Sequence, residues 1–262
     1  MSALALAMTD STTMLKRRLL HLRRYPSLTI MLVGQPLVFL LLFVYVFGGT
    51  LGAGIDGAGA GRAEYLAYIT PAILVMAVAS VALGTAIAIA TDMTEGIVAR
   101  FRTMDIARVS VLAGHVLGAL AQTVLAVVVT GAVALLLGFD PDGSALGLLG
   151  ALGLLGALAF ALTWLTVAMG LASGSVETAS NIPMFLVLLP FLGSGFVPTE
   201  TMPAGLRWFA EHQPFTPIIE SVRDLLAGEP VDDLWTALAW CAVIAGIGYV
   251  WSRRLYDREP TG

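Results

Sequence analysis

Six long stretches of this 262-residue chain contain no Asp, Glu, Lys or Arg: 25–55, 65–91, 109–139, 145–176, 178–199 and 234–252. No other feature limits the fold so tightly. A helix needs about 20 apolar residues to cross about 30 Å of hydrocarbon. A charge at its centre costs on the order of 3 kcal/mol. Each stretch is rich in Leu, Val, Ala, Ile or Phe. The apolar runs are continuous, as in Val124–Val129 and Leu186–Leu189, whereas the strands of a membrane barrel alternate in polarity. Backbone polar groups in lipid must then be satisfied within each segment, and helices follow. Composition agrees: 58% of residues are hydrophobic and 12% charged, about half the charged share of a soluble domain. An ordinary cytosolic enzyme, a disordered chain and a nucleic-acid binder are excluded on this ground.

We therefore read an all-α integral membrane fold with six transmembrane helices, at about 28–49, 66–90, 109–137, 145–172, 177–197 and 234–252. A cytoplasmic arm, 1–25, precedes this transmembrane domain of 26–252, and a cytoplasmic tail, 253–262, follows it. The uncharged Met1–Thr9 is too short for a signal core and stretch 25–55 too long, so no signal peptide is expected. An even number of spans puts both termini on one side. That side holds eleven of the fourteen basic residues, among them Lys16, Arg17, Arg18, Arg100, Arg102, Arg253 and Arg254. The positive-inside rule assigns it to the cytoplasm. The opposite loops hold eleven acidic residues, including Asp140, Asp142, Asp232 and Asp233.

Three segments outside the spans carry amphipathic patterns. In the arm, Leu15, Leu19 and Leu22 share one helical face, while Lys16, Arg17, Arg23 and Arg24 lie mostly off it. Such a helix lies in the membrane interface with its basic heads near lipid phosphates; a topology-setting anchor is the plainer alternative. The loop Asp92–Arg108 carries an apolar stripe, Ile97, Phe101 and Met104, beside Arg100, Arg102, Asp105 and Arg108. A short helix of this kind can seat in a groove on a soluble partner. It serves equally as a solvated connector. The segment Phe196–Gly228 contains Pro198, Pro203, Pro214 and Pro217 among many apolar residues. We expect two short helices there, started by Pro203 and Pro217 and separated by Pro214. They either dip back into the outer leaflet with Trp208 at the interface or pack as a hairpin outside the bundle.

Within the spans, Gly147, Gly150, Gly153 and Gly156 recur every third residue and suggest close helix contacts. Gln35, His115, Gln122, Asn181, Pro36, Pro183 and Pro190 are the polar or helix-breaking elements at bilayer depth. They line a path or, more commonly, bond a neighbouring helix. The single Cys241 and the scattered His21, His115 and His212 offer no metal cluster and no disulfide. No HExxH, GxSxG or GxxxxGK[ST] sequence occurs. No catalytic residue is assigned, and ATP, if consumed, must bind another chain.

The loop residues Thr91-Asp92, Thr94-Glu95-Gly96, Arg100-Phe101-Arg102 and Ala107-Arg108 resemble the cytoplasmic loop of ABC type-2 transporter permeases, and most of all their daunorubicin-resistance branch. Phe196-Val197-Pro198, Met202-Pro203, Leu206, Pro214-Phe215-Thr216-Pro217 and Val222-Arg223 resemble the same family's segment before the last span. The loop start is less Glu-rich than in many such permeases, with Glu95 accompanied only by Asp92. The resemblance implies the membrane subunit of a bacterial ATP-driven exporter, resident in the cell membrane and moving a hydrophobic or amphipathic solute such as a drug, lipid or polyketide. It implies a partner ATPase that holds ATP and Mg, a second permease alongside, and coupling through Asp92, Glu95, Gly96, Ile97, Arg100, Phe101, Arg102, Met104, Asp105 and Arg108. Phe196, Pro198, Pro203, Trp208, Pro214 and Pro217 would belong to the outer gate. The rival from the residues alone is a stand-alone membrane scaffold or intramembrane enzyme.

Overall fold

The computed structural model describes residues 26–52, 61–96 and 108–257, and they form an all-helical bundle. Helix α1, Pro26–Leu42, runs through a π-helical turn, Phe43–Phe47, into α2, Gly48–Gly52. Then come α3, Arg62–Thr94, α4, Arg108–Leu136, and α5, Ala145–Ala172. The short α6, Val176–Asn181, and α7, Met184–Leu188, lead into a 3-10 turn, Leu189–Leu192. A second such turn, Thr199–Thr201, precedes α8, Ala204–His212, and α9, Phe215–Ala227. Helix α10, Leu234–Asp257, completes the described bundle.

Among the described residues, five helices are long and apolar enough to cross a membrane: Ile30–Thr50, Arg62–Thr94, Leu112–Leu136, Ala145–Ala172 and Leu234–Tyr256. They coincide with five of the six expected spans. The fifth expected span differs. Residues Val176–Leu192 form a shorter apolar helical run, broken around Pro183 and again modified at Pro190. Proline lacks the N–H that the ladder needs, and its ring crowds the preceding turn. Even if continuous, 17 residues would reach only about 25 Å, short of a hydrocarbon core. Beyond Leu192 the chain is irregular up to Pro198, so the last residues of the expected 177–197 span are not helical.

Helix α3 is the centre of the bundle. Every residue from Ile69 to Ala82 is buried, on all faces of the helix. It packs against α1, α4 and α5, while α10 lies along the other side of α5. At 33 residues, α3 is about 50 Å long and outreaches the hydrocarbon core. Lipid is as apolar as Leu, so helices associate through close packing rather than through loss of water. The crossings are accordingly made by small residues. A methyl group added at Gly170 would fall 2.7 Å from the Ala86 carbonyl oxygen of α3. One added at Gly248 of α10 would fall 2.4 Å from the Leu165 amide of α5.

The glycine repeat in α5 divides into two halves. Gly147 and Gly150 meet Leu225 of α9, with 2.5 Å left between a methyl on Gly147 and the Leu225 carbonyl oxygen. Gly153 and Gly156 face open space instead and make no close helix contact within the chain. A step of three residues advances about 300° around a helix, so a run of four cannot address one neighbour. Ser144 caps α5 by accepting the Gly147 amide at 3.1 Å.

Gly248→Ala is expected to destabilise the fold by about 1–3 kcal/mol, because two backbones must separate. Gly246→Ala, with nothing within 4 Å, is expected to be neutral or slightly stabilising. Thermal unfolding of both variants in detergent measures the difference.

Candidate functional site

The irregular stretch Gly193–Pro198 cannot satisfy its backbone through its own helix. Non-helical backbone within an apolar bundle persists only where other parts of the protein supply the partners. Helix α9 does so. Thr216, Glu220 and Arg223 fall at i, i+4 and i+7, on one face, and Gln213 lies in register just before the helix. Gln213 Nε2 donates to the Leu189 carbonyl at 3.4 Å and to Thr216 Oγ1 at 3.1 Å. Thr216 Oγ1 accepts the Ser194 amide at 3.4 Å and donates to the Ala210 carbonyl at 2.6 Å. Arg223 Nη2 donates to the Ser194 carbonyl at 2.8 Å, and both Nε and Nη2 reach the Tyr68 carbonyl at 3.3 Å. The Tyr68 hydroxyl donates to the same Ser194 carbonyl at 2.8 Å. Both polar groups of the Ser194 backbone are therefore held from outside its own segment.

The guanidinium of Arg223 also lies 4.0 Å from the centre of the Tyr68 ring. A cation over a ring face is attracted by the ring quadrupole. The close approach depends on two glycines. A methyl on Gly193 would lie 2.6 Å from Thr216 Oγ1, and one on Gly195 would lie 2.9 Å from the Ala72 methyl of α3. Behind the stretch, Phe191 and Phe196 stack with centroids 4.3 Å apart and planes 6° from parallel. Phe43, at the start of the π-helical turn, meets Phe196 at 4.6 Å, and Phe39 meets Phe191 edge-on at 5.4 Å. Helix α1 and the π-helical turn are thereby tied to this region by aromatic contacts. Single π-helical turns frequently mark functional positions.

Burial raises the Glu220 carboxyl above its usual range; nearby Ser194 and Arg223 pull it down, and Asp233 and Asp224 push it further up. Asp224 is raised too, first by burial, with Arg223 opposing. The net sign is that ionisation at this end of the bundle is resisted.

The sequence-assigned gate residues scatter around this cluster. Phe196 is buried inside it. Pro198 heads the Thr199–Thr201 turn, Pro203 precedes α8 and Pro214 precedes α9. Pro214, rather than Pro217, marks the start of α9. Pro217 sits in the third helical position, where a missing N–H is still no loss. Trp208 points outward, 64% exposed, and stacks on His212 at 4.7 Å. Thr216 enters the sequence reading only within the Pro214–Pro217 motif, and Gln213 and Glu220 are not singled out there. Their signal was available as polar residues at regular spacing in an otherwise apolar helix, but it needs the Gly-Ser-Gly stretch opposite to acquire meaning.

At the opposite end of α3, Asp92 is not a free loop residue. It lies in the last turn of α3 and its carboxylate Oδ2 is 3.1 Å from His115 Nε2 of α4. This pair joins the two helices that flank the 97–107 loop, above a small apolar cluster of Ile89, Leu112, Val116, Trp164, Val167 and Tyr256. Glu95 is exposed, and Gly96 follows with the positive φ of 71° that glycine accommodates. Arg108 opens α4. Ile97, Arg100, Phe101, Arg102, Met104 and Asp105 lie outside the described residues, as do Leu15, Lys16, Arg17, Leu19, Leu22, Arg23 and Arg24 of the arm. Among the described residues no group of His, Cys, Asp and Glu is arranged to hold a metal ion.

Comparison with known proteins adds an independent line. Residues 9–227 match the family described as ABC-2 type transporter. The chain is 32% identical to the daunorubicin resistance ABC transporter permease protein DrrB1 of Streptomyces coeruleorubidus, over 98% of this chain and 89% of that protein. It is 23% identical to the probable doxorubicin resistance ABC transporter permease protein DrrC of Mycobacterium tuberculosis, over 82% of this chain and 78% of that protein.

A buried carboxyl with a raised pKa adds stability below its unfolded pKa, and that stability is lost as pH rises through the folded value. Glu220→Gln is therefore expected to match the parent near pH 4 and to unfold at a higher temperature than the parent at pH 8. Thermal unfolding at the two pH values reads the sign.

Proposed function

This chain belongs to the ABC-2 type transporter family and is a multi-pass membrane permease subunit of an exporter, and from that premise we propose the arrangement in which it works. It crosses the bilayer six times, the broken Val176–Leu192 run together with the irregular stretch after it making the fifth passage. Both termini face the cytoplasm, as the bias of basic residues supports. The permease binds no nucleotide: a separate cytoplasmic ATPase subunit carries ATP and Mg. A second permease, identical or similar, completes the passage. The cargo is a hydrophobic or amphipathic solute, a reading supported by the drug-resistance names of the relatives.

One observation carries this reading: the family match extends over most of a chain that has long apolar helices and no nucleotide-binding motif of its own. The stand-alone scaffold or intramembrane enzyme is set aside by that membership. The 92–108 loop takes the ATPase contact, with Arg100 and Arg102 beside the apolar stripe of Ile97, Phe101 and Met104. The Asp92–His115 pair clasps the loop's two flanking helices, so that force applied to the loop enters α3 and α4 together rather than splaying them. Since α3 touches α1, α4, α5 and the segments leading to the opposite end, it is the natural transmitting element. The basic arm lies along the inner membrane surface, and the α8–α9 hairpin with Phe196 closes the outer end.

Arg100→Glu combined with Arg102→Glu is expected to abolish co-purification of the ATPase subunit while the permease still reaches the membrane. Normal co-purification together with normal efflux would overturn the coupling assignment.

A further inference from the structure

The contacts that hold the Gly193–Phe196 stretch differ in kind from those that hold the rest of the bundle. Helix α10 meets α5 backbone to backbone at Gly248, and α5 meets α3 so at Gly170. Here the bonds run from side chains to the backbone of an irregular stretch. Breaking them unwinds no helix. On the stretch itself the Ser194 amide bond to Thr216 Oγ1 is long at 3.4 Å, while the Ser194 carbonyl is held at 2.8 Å by Arg223. The stretch is bounded by Pro190 and Pro198 and contains two glycines, so it is also a natural place for the chain to bend.

Arg223 is the centre of this set. Its charge rests on two carbonyl oxygens and the Tyr68 ring. Among the described residues it makes no ion pair within 4 Å. A carboxylate is nevertheless at hand, since Glu220 lies three positions earlier on the same helical face. The structure holds the guanidinium on Ser194 and Tyr68; a turn along α9 toward Glu220 would be the second arrangement. A two-state element of this kind is what conformational coupling requires.

We infer that Gln213, Thr216 and Arg223 form a lock on the Gly193–Phe196 stretch that releases in each transport turn, with Arg223 as the positioning residue. The inference rests on the exporter reading and adds to it the identity of the moving part. In the locked state Phe191, Phe196 and Phe43 stay stacked and seal the end of the passage. In the released state Arg223 leaves the Ser194 carbonyl, the stretch swings on its prolines, and the aromatic stack parts.

Reversible cross-linking tests this. Cys241 is the only cysteine, so a C241A background carrying S194C and T216C places two new thiols across the lock. The protein is co-expressed with its ATPase subunit in membrane vesicles, and ATP-dependent daunorubicin transport is followed by fluorescence. Oxidation is expected to lower transport at least tenfold, and reduction of the same sample to restore it. In a second arm, R223A is expected to lose transport at least tenfold while ATP hydrolysis continues, and R223K to recover part of it. Transport unchanged by a complete cross-link would show a static scaffold and overturn the inference. So would failure of the two thiols to cross-link in resting membranes, or R223A transport equal to that of the parent. Absence of ATP-dependent daunorubicin transport in the unmodified protein would instead overturn the drug-cargo part of the proposed function on which the lock rests, and that result comes from a different sample.

Discussion

In hydrocarbon there is no water to bond a stray amide or carbonyl, and every departure from helix must be met by another part of the protein. Most of this chain obeys by staying helical. The exception is the stretch after Leu192, where two prolines upstream and a Gly-Ser-Gly sequence end the helix before a membrane's width is covered. The remainder of that end of the bundle is arranged around the exception. Helix α9 turns a polar face to it, α3 offers Tyr65 and Tyr68, and α5 lets α9 approach by presenting Gly147 and Gly150. The Ser194 carbonyl, which accepts from both Arg223 and Tyr68, is the point where these elements meet.

The same economy appears at the other end of the bundle. A carboxylate and an imidazole brought among apolar side chains are costly unless they face one another. Asp92 and His115 do so at 3.1 Å, and their pairing connects helices separated in sequence by the 97–107 loop. Helix α3 runs between the two polar clusters. It is wrapped on all sides through its middle, and close-packed interiors transmit displacement rather than absorb it. One rigid element thus connects the loop proposed to meet the ATPase with the stretch proposed to gate the passage.

Much of the architecture was legible from residue order. Five helices occupy the uncharged stretches, because a charge-free run of that length has one inexpensive conformation in lipid. The two short helices of Phe196–Gly228 followed from Pro203 and Pro214, although α9 starts beside Pro214 and not at Pro217. The resemblance in the loop and the hairpin pointed to the family that the match over residues 9–227 establishes. The glycine repeat was legible as a packing signal. Its period implied packing, but only the position of α9 decides that Gly147 and Gly150 are used for contact and Gly153 and Gly156 are not.

What residue order determined alone was the helical class and the set of long apolar helices, since both depend on local runs of apolar residues and on where charge is missing. Tertiary structure decided the rest. Asp92 reads as a solvated loop carboxylate until α4 brings His115 to it, and Gln213, Thr216 and Arg223 read as scattered polar residues until the irregular stretch lies against them. A hydrogen bond between groups distant in the chain leaves no periodic trace, because the spacing of each partner is set by its own helix and their meeting by the packing of all the others.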